Sequence, residues 1–261
     1  MVQHVPHRPD IFKTFLAILI FQPIMSKPAL AFLPGLLCDQ EVWQYQMDAL
    51  SDIAVCSCAD WGSLDSIVAM AESFLATAPE RFALAGHSMG GRVAFQVYRL
   101  APQRVTRIAL LNTGADARPA GAAGDEEARR RMVLVNLAKS AGMRAMAMQW
   151  LPPMMKPGRM DDTALVNAVC AMVVRRTPEI FEAQIRALLG RPDANALLGQ
   201  INCPALLLSG REDGFSPPAR HADMAAAIPG SKLAIIPDSG HMSPMEQPEL
   251  VARALREWLL M

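Results

Sequence analysis

This sequence has no excess of charge. Twenty-five lysines and arginines balance twenty-five aspartates and glutamates among 261 residues. The balance removes the usual electrostatic reason to expect nucleic acid or an anionic membrane as partner. Cysteines are few and odd in number: Cys38, Cys56, Cys58, Cys170 and Cys203. Five scattered thiols in apolar surroundings make no disulfide framework. Buried, reduced thiols are expected instead, and a reducing cytoplasm with them. Cys56 and Cys58 would share one face of a strand, but no further ligands stand near them in the sequence, so no metal is implied. The glycine spacing of a dinucleotide fingerprint is missing, and so is a phosphate loop. No metal or organic cofactor is expected.

A membrane-spanning run is also missing. The apolar run Phe15–Phe21 is short and is interrupted by Gln22 and Pro23, so membrane association is not expected from it. An early arginine and lysine precede that run, and Ala29-Leu30-Ala31 resembles a signal-peptidase site. Cleavage there would sever the first strand of the sheet described next. Residues 1–25 therefore read as an extension outside the fold. A helix of little order, a weak anchor or exported leader, and an over-early start all stay open, because Met25 begins a tidy domain.

What the chain does have is a rhythm. The runs 29–35, 52–58, 81–86, 105–114, 203–210 and 232–240 are short, aliphatic and bounded by turn formers. Continuous rather than alternating hydrophobicity predicts strands covered on both faces, as in a parallel sheet. Helical patterns separate them, at 64–79 with Asp65 or Ser66 as cap, at 88–102, at 220–230 and at 248–260. Alternation of this kind predicts an α/β fold, a mostly parallel sheet of about six strands flanked by helices. The rhythm breaks between 125 and 198. Three helical stretches fill that segment, at 125–150, 161–176 and 177–190. An insertion of helices between two strands reads as a helical lid over a core made of 26–124 and 199–261. Eight of the seventeen methionines fall in it. They would pack the lid onto the body, and their adaptable shape also suits a small-molecule acyl substrate with an apolar part. Arg129–Arg131 read as a solvated helix face countering Asp125–Glu127.

The chemistry centres on Gly86-His87-Ser88-Met89-Gly90. The stretch lies where the strand at 81–86 gives way to a helix. A reversal there would strain Ser88, expose its hydroxyl and require tiny neighbours on both sides. A serine hydroxyl needs a base to become a nucleophile. Of five histidines, His4 and His7 lie in the extension, His87 should point elsewhere on the turn, and His221 begins a helix and should be solvated. His241 follows the last strand and would share the carboxyl edge of the sheet with Ser88, where sites of open α/β sheets form. Asp213 follows the fifth strand on the same edge and is chosen to orient the imidazole. Glu212 would be its exposed neighbour, and Asp116 is the second candidate acid. For an oxyanion, the Met89 N–H at the helix start and the Leu36 N–H beyond Gly35 are the expected donors. Cys38 reads as packing, and Trp43 and Gln46 as cover behind the loop.

Ser88, Asp213 and His241, in that chain order within "GHSMGG", "GREDGFSPP" and "SGHMSPMEQP", resemble the nucleophile, acid and histidine motifs of the α/β-hydrolase superfamily. The likeness runs from Ala29 to the C-terminus and is nearest to lidded esterases and enol-lactonases. Relatives commonly carry His-Gly after the first matched strand, where this chain has Pro34-Gly35, and two strands that often precede it are not apparent. The resemblance implies a serine hydrolase cleaving a carboxylic ester or thioester through an acyl-enzyme. Lactone or C–C cleavage, acyl transfer, and a non-catalytic small-ligand receptor are the alternatives it leaves.

Overall fold

In a computed structural model, residues 1–2 and 27–261 are described. The extension expected at 1–25 thus lies almost wholly outside the described residues. Six strands form one sheet: β1 (Ala29–Leu33), β2 (Val55–Cys58), β3 (Phe82–His87), β4 (Val105–Leu111), β5 (Ala205–Gly210) and β6 (Lys232–Ile236). Their order is β2-β1-β3-β4-β5-β6, and every neighbouring pair is parallel.

Each residue of β3 and β5 is buried, as continuous apolar runs demand in the middle of a covered sheet. The expectation that all six strands are covered on both faces fails at the two edges. In β2, Val55 and Ser57 are exposed and alternate with half-buried Cys56 and Cys58, and β6 begins with exposed Lys232 and Leu233. An edge strand has a neighbour on one side only and is covered less completely; β2 alternates, while β6 is exposed where it begins and buried where it ends.

Helices α1 (Gln44–Leu50), α2 (Ile67–Thr77) and α3 (Met89–Leu100) fall between β1 and β4. Ser66 caps α2, its hydroxyl accepting the N–H groups of Val68 and Ala69. Such a cap is worth about 1 kcal/mol. Between β4 and β5 stand α4 (Gly121–Ala141), α5 (Met143–Trp150), α6 (Thr163–Val174), α7 (Pro178–Leu189) and the short α8 (Asn195–Leu198). The stretch expected as one helix over 125–150 is two, because Gly142 adopts φ 88° and ends the first. The arginine cluster on α4 is only partly a solvated face. Arg129 and Arg130 pair with Glu126 in solvent, whereas Glu127 sits between Arg131 and the buried Arg191. After β5 come α9 (Pro218–Ala227), α10 (Ser243–Glu246) and α11 (Pro248–Leu259).

Helices α2 and α3 pack together, as do α1 and α11. Trp43, Trp258, Phe32, Phe82, Phe95 and Phe181 are the largest fully buried side chains. All five cysteines are free, Cys38 and Cys170 buried and the other three half-buried. Burial pushes the Cys38 and Cys58 thiols up to about 12. Neither is poised as a nucleophile. Among the described residues no helix is long and apolar enough to cross a membrane.

Candidate active site

The parallel sheet delivers three loops to one edge: the turn after β3, the loop after β5 and the loop after β6. The first carries Ser88, with φ 53° and ψ −114°, a backbone conformation that side chains rarely adopt. The fit of its neighbours explains why the chain accepts that strain. A Cβ on Gly90 would overlap the Leu33 carbonyl, and one on Gly86 would overlap the Gly90 carbonyl. Strand, turn and helix are therefore in backbone contact. Ser88 also stands at the cap position of α3 without using its side chain to cap it. The hydroxyl is left free for another partner.

That partner is His241. Its Nε2 lies 2.8 Å from Ser88 Oγ, and its Nδ1 lies 2.9 Å from Asp213 Oδ2. The serine is half-buried, and the histidine and aspartate are buried. Asp213 is held by four donors. His241 Nδ1 and Asn112 Nδ2 address Oδ2, while the Phe215 and Ser216 N–H groups address Oδ1. Burial alone would raise its pKa. The His241 imidazole and the hydrogen bonds from His241, Asn112 and Ser216 outweigh burial and hold the carboxyl down at about 2. It is an anion at any physiological pH.

The competing residues fall elsewhere. Asp116 is exposed and accepts a hydrogen bond from Asn195. Glu212 accepts the Ser239 N–H. His87 points away from the hydroxyl, its Nε2–H donating to the His241 carbonyl at 2.8 Å. Burial, and next the neighbouring His241, push its pKa down to about 3.

His221 corrects the sequence reading. It is not solvated but fully buried, on the inward face of α9. Its Nε2 accepts the Thr113 N–H, its Nδ1–H faces the Pro217 carbonyl, and burial pushes its pKa down to about 4. The helix starts two residues earlier than expected, at Pro218. The helix packs against β5 and turns the ring inward, onto the Thr113 N–H.

The base loop is fastened on both sides. The His241 N–H donates to the Met154 carbonyl. Buried Glu246 accepts N–H groups from Gly240, Met242 and Lys156. A Cβ on Gly240 would press into the backbone of Met155 and Lys156.

A family model described as alpha/beta hydrolase fold matches residues 57–248. The chain belongs to the α/β-hydrolase family. A pimeloyl-[acyl-carrier protein] methyl ester esterase of Photobacterium profundum is 31% identical over 204 residues, covering 76% of this chain and 78% of that protein. A thermophilic esterase from Thermogutta terrifontis is 28% identical, with a TM-score of 0.77 over 89% of each chain. The enol-lactonase of Burkholderia xenovorans LB400 has a TM-score of 0.78 at 21% identity, covering 92% of this chain and 94% of that one. The last likeness speaks to the fold alone. The nearness to esterases and enol-lactonases expected from the motifs is thus met.

In this α/β hydrolase the loop after β1 comes close to the nucleophile turn. A Cβ on Gly35 would stand 3.3 Å from Ser88 Cβ and 3.0 Å from His87 Nδ1. Leu36 and Met89 follow Gly35 and Ser88 directly, and both are buried. Among the described residues neither amide N–H donates to another protein group. Cys38 is buried with its thiol against the Leu36 carbonyl, Trp43 packs tilted on Phe32 and meets His87 edge-on, and Gln46 Nε2 donates to the Pro244 carbonyl. No group of three or more His, Cys, Asp or Glu that would hold a metal occurs among the described residues. Sequence reading missed Asn112, Glu246 and Gln184. For Asn112 a signal existed, since asparagine after a strand is a residue that tolerates positive φ.

Proposed function

We propose that this chain hydrolyses carboxylic esters, with Ser88 as nucleophile, His241 as general base and acid, and Asp213 as the anion that orients the imidazole. The observation that supports this most directly is the unbroken contact from Ser88 Oγ through His241 to Asp213 Oδ2, at 2.8 and 2.9 Å. Ser88 Oγ attacks the ester carbonyl carbon while its proton passes to His241 Nε2. The carbonyl oxygen becomes an oxyanion facing the N–H groups of Met89 and Leu36. One such donor lowers the barrier by about 3 kcal/mol. Collapse of the tetrahedral species breaks the C–O bond to the alcohol, which leaves with the proton from Nε2. Water then gives its proton to Nε2, attacks the acyl carbon and releases the acid and Ser88. Asp213 stays ionised throughout and stabilises the imidazolium.

The helices between β4 and β5 are read as a lid, bounded near 125 and 198. Their buried methionines 143, 146, 154, 155 and 172 would accommodate an apolar acyl part. The methyl ester esterase relative and the esterase neighbour support an ester as the bond cleaved. A fluorophosphonate should label Ser88, located by mass spectrometry, and p-nitrophenyl esters of graded chain length should be turned over. A label on another residue would refute the assignment of the nucleophile. Labelling at Ser88 without turnover of any ester would refute ester hydrolysis and leave a lactone, a C–C bond or ligand binding without turnover.

A further inference from the structure

Among the described residues Asn112 is the one side-chain amide that bonds both the acid loop and the base loop. It follows β4 directly, is fully buried, and adopts φ 49°. Its Nδ2 donates to Asp213 Oδ2 at 2.9 Å and to the Gly240 carbonyl at 3.2 Å. Its Oδ1 accepts from Ser243 Oγ at 2.5 Å. Gly240 and Ser243 flank His241 in sequence. Three segments, after β4, β5 and β6, therefore meet at one planar group. The ladder bond from the Asn112 N–H to the Leu208 carbonyl, at 2.8 Å, anchors that group to the sheet.

The chemistry of the side chain matters as well as its size. Two donors and an acceptor are required in one plane, with both donors aimed at acceptors. Aspartate has the shape but lacks the donors. Leucine has the volume but would leave Ser243 and one lone pair of Asp213 unpaired. The Ser243 hydroxyl fixes which end of the amide is which, because an amide turned over would set its oxygen against the Asp213 carboxylate. The strain of positive φ is tolerated best by glycine and asparagine among residues, and only the second brings an amide.

We propose that Asn112, oriented by Ser243, is a positioning residue for the triad. It holds Asp213 Oδ2 in line with His241 Nδ1 and fixes the base loop at Gly240. The inference rests on the triad reading above. It extends that reading by making the alignment of Asp213 and His241 depend on a fourth side chain that never meets substrate.

Asn112→Gly removes the amide while easing the backbone, which separates the hydrogen bonds from the strain. Loss of a hydrogen bond to a charged group predicts a fall in kcat of roughly 10- to 100-fold, with KM changed less than about twofold. The downfield proton resonance of an imidazole N–H held by a carboxylate should weaken or shift in the same variant. Asn112→Asp gives a sharper outcome. Its carboxyl would share a proton with Asp213, and while it keeps that proton it donates to Oδ2 as the amide does. Its kcat relative to wild type should therefore rise as pH falls. Ser243→Ala, which frees the amide to turn, should lower kcat by a smaller factor. A folded Asn112→Gly with kcat within twofold of wild type, or an Asn112→Asp pH profile parallel to wild type, would overturn the inference. Fluorophosphonate labelling of the wild type runs alongside. Its failure at Ser88 refutes the triad reading, whereas labelling with unaffected Asn112 variants refutes only the role of Asn112.

Discussion

At the residue scale the two candidate acids differ in what surrounds them. Asp213 is buried under four donors and sits 2.9 Å from the imidazole. Asp116 is exposed and answers to Asn195 and, at 3.8 Å, Arg220. Asp213→Asn would retain the volume but replace an anion by an amide, and Oδ2 would no longer accept from Nδ1 as a charge. The imidazolium formed on proton transfer then loses its counter-charge. Turnover of a p-nitrophenyl ester should fall by about 10⁴-fold, while Asp116→Asn should stay within about twofold of wild type, as a surface change does. Steady-state kinetics of the two purified variants checks both, and a reversed order would reassign the acid.

At the scale of elements, the loop after β1 shows how the helical insertion reaches the site. Leu37 adopts φ 61°, an uncommon conformation for a branched apolar side chain. Its N–H donates to Gln184 Oε1 at 2.8 Å, and Gln184 Nε2 donates to the Gly62 carbonyl at 3.1 Å. Gln184 lies on α7 and is buried. A helix of the insertion thus braces the loop that presents the Leu36 N–H. Gln184→Leu would leave a buried N–H unpartnered, at a cost of about 1–3 kcal/mol. The loop should then relax away from Ser88. We expect kcat on p-nitrophenyl butyrate to fall about tenfold, the loss of roughly 1.4 kcal/mol of transition-state stabilisation, with KM little changed. A kcat within twofold of wild type in the folded variant would dissociate α7 from catalysis.

The same elements mark what a linear reading reaches. The six strands were legible because each is a continuous apolar run, and the turn at Ser88 because backbone contact demands glycine at 86 and 90. Asp213 and His241 were legible as polar residues at strand ends that parallel topology brings to one edge. Gln184 was not. It is one polar residue in an amphipathic helix, and its partner is 147 positions away. His221 was misread because the sequence places it near a helix start without showing which face of α9 packs on the sheet. Asn112 and Ser243 are 131 positions apart, and nothing local marks that pairing.

At the scale of the whole molecule, two imidazoles are folded into the interior in neutral form. His87 is held down at about 3 and His221 at about 4, each chiefly by burial. In the unfolded chain both would titrate near the ordinary histidine value of about 6.5. Between pH 4 and 6.5 the unfolded state therefore binds up to two more protons than the folded state. Stability must fall as pH falls through that window, by up to about 2.7 kcal/mol per pH unit from the pair. Among the buried carboxyls, Asp213 and Glu246 bear on the pH dependence in opposite senses. The contribution of Asp213 is intact above its unfolded value of 3.8 and fades only as pH falls towards 2. Glu246, pushed up by burial, works in the opposite sense, because its cost is relieved as pH falls and it takes up a proton. The histidines outweigh it, being two groups against one. Urea unfolding at pH 6.5, 5.5 and 4.5 should give a steadily declining free energy, and His221→Gln should flatten that decline by about half, since one of two titrating groups is gone. A wild-type free energy that does not change between pH 6.5 and 4.5 would mean that both rings take up protons in the folded protein. The packing of His87 against the His241 loop and of His221 against Thr113 would both then need revision.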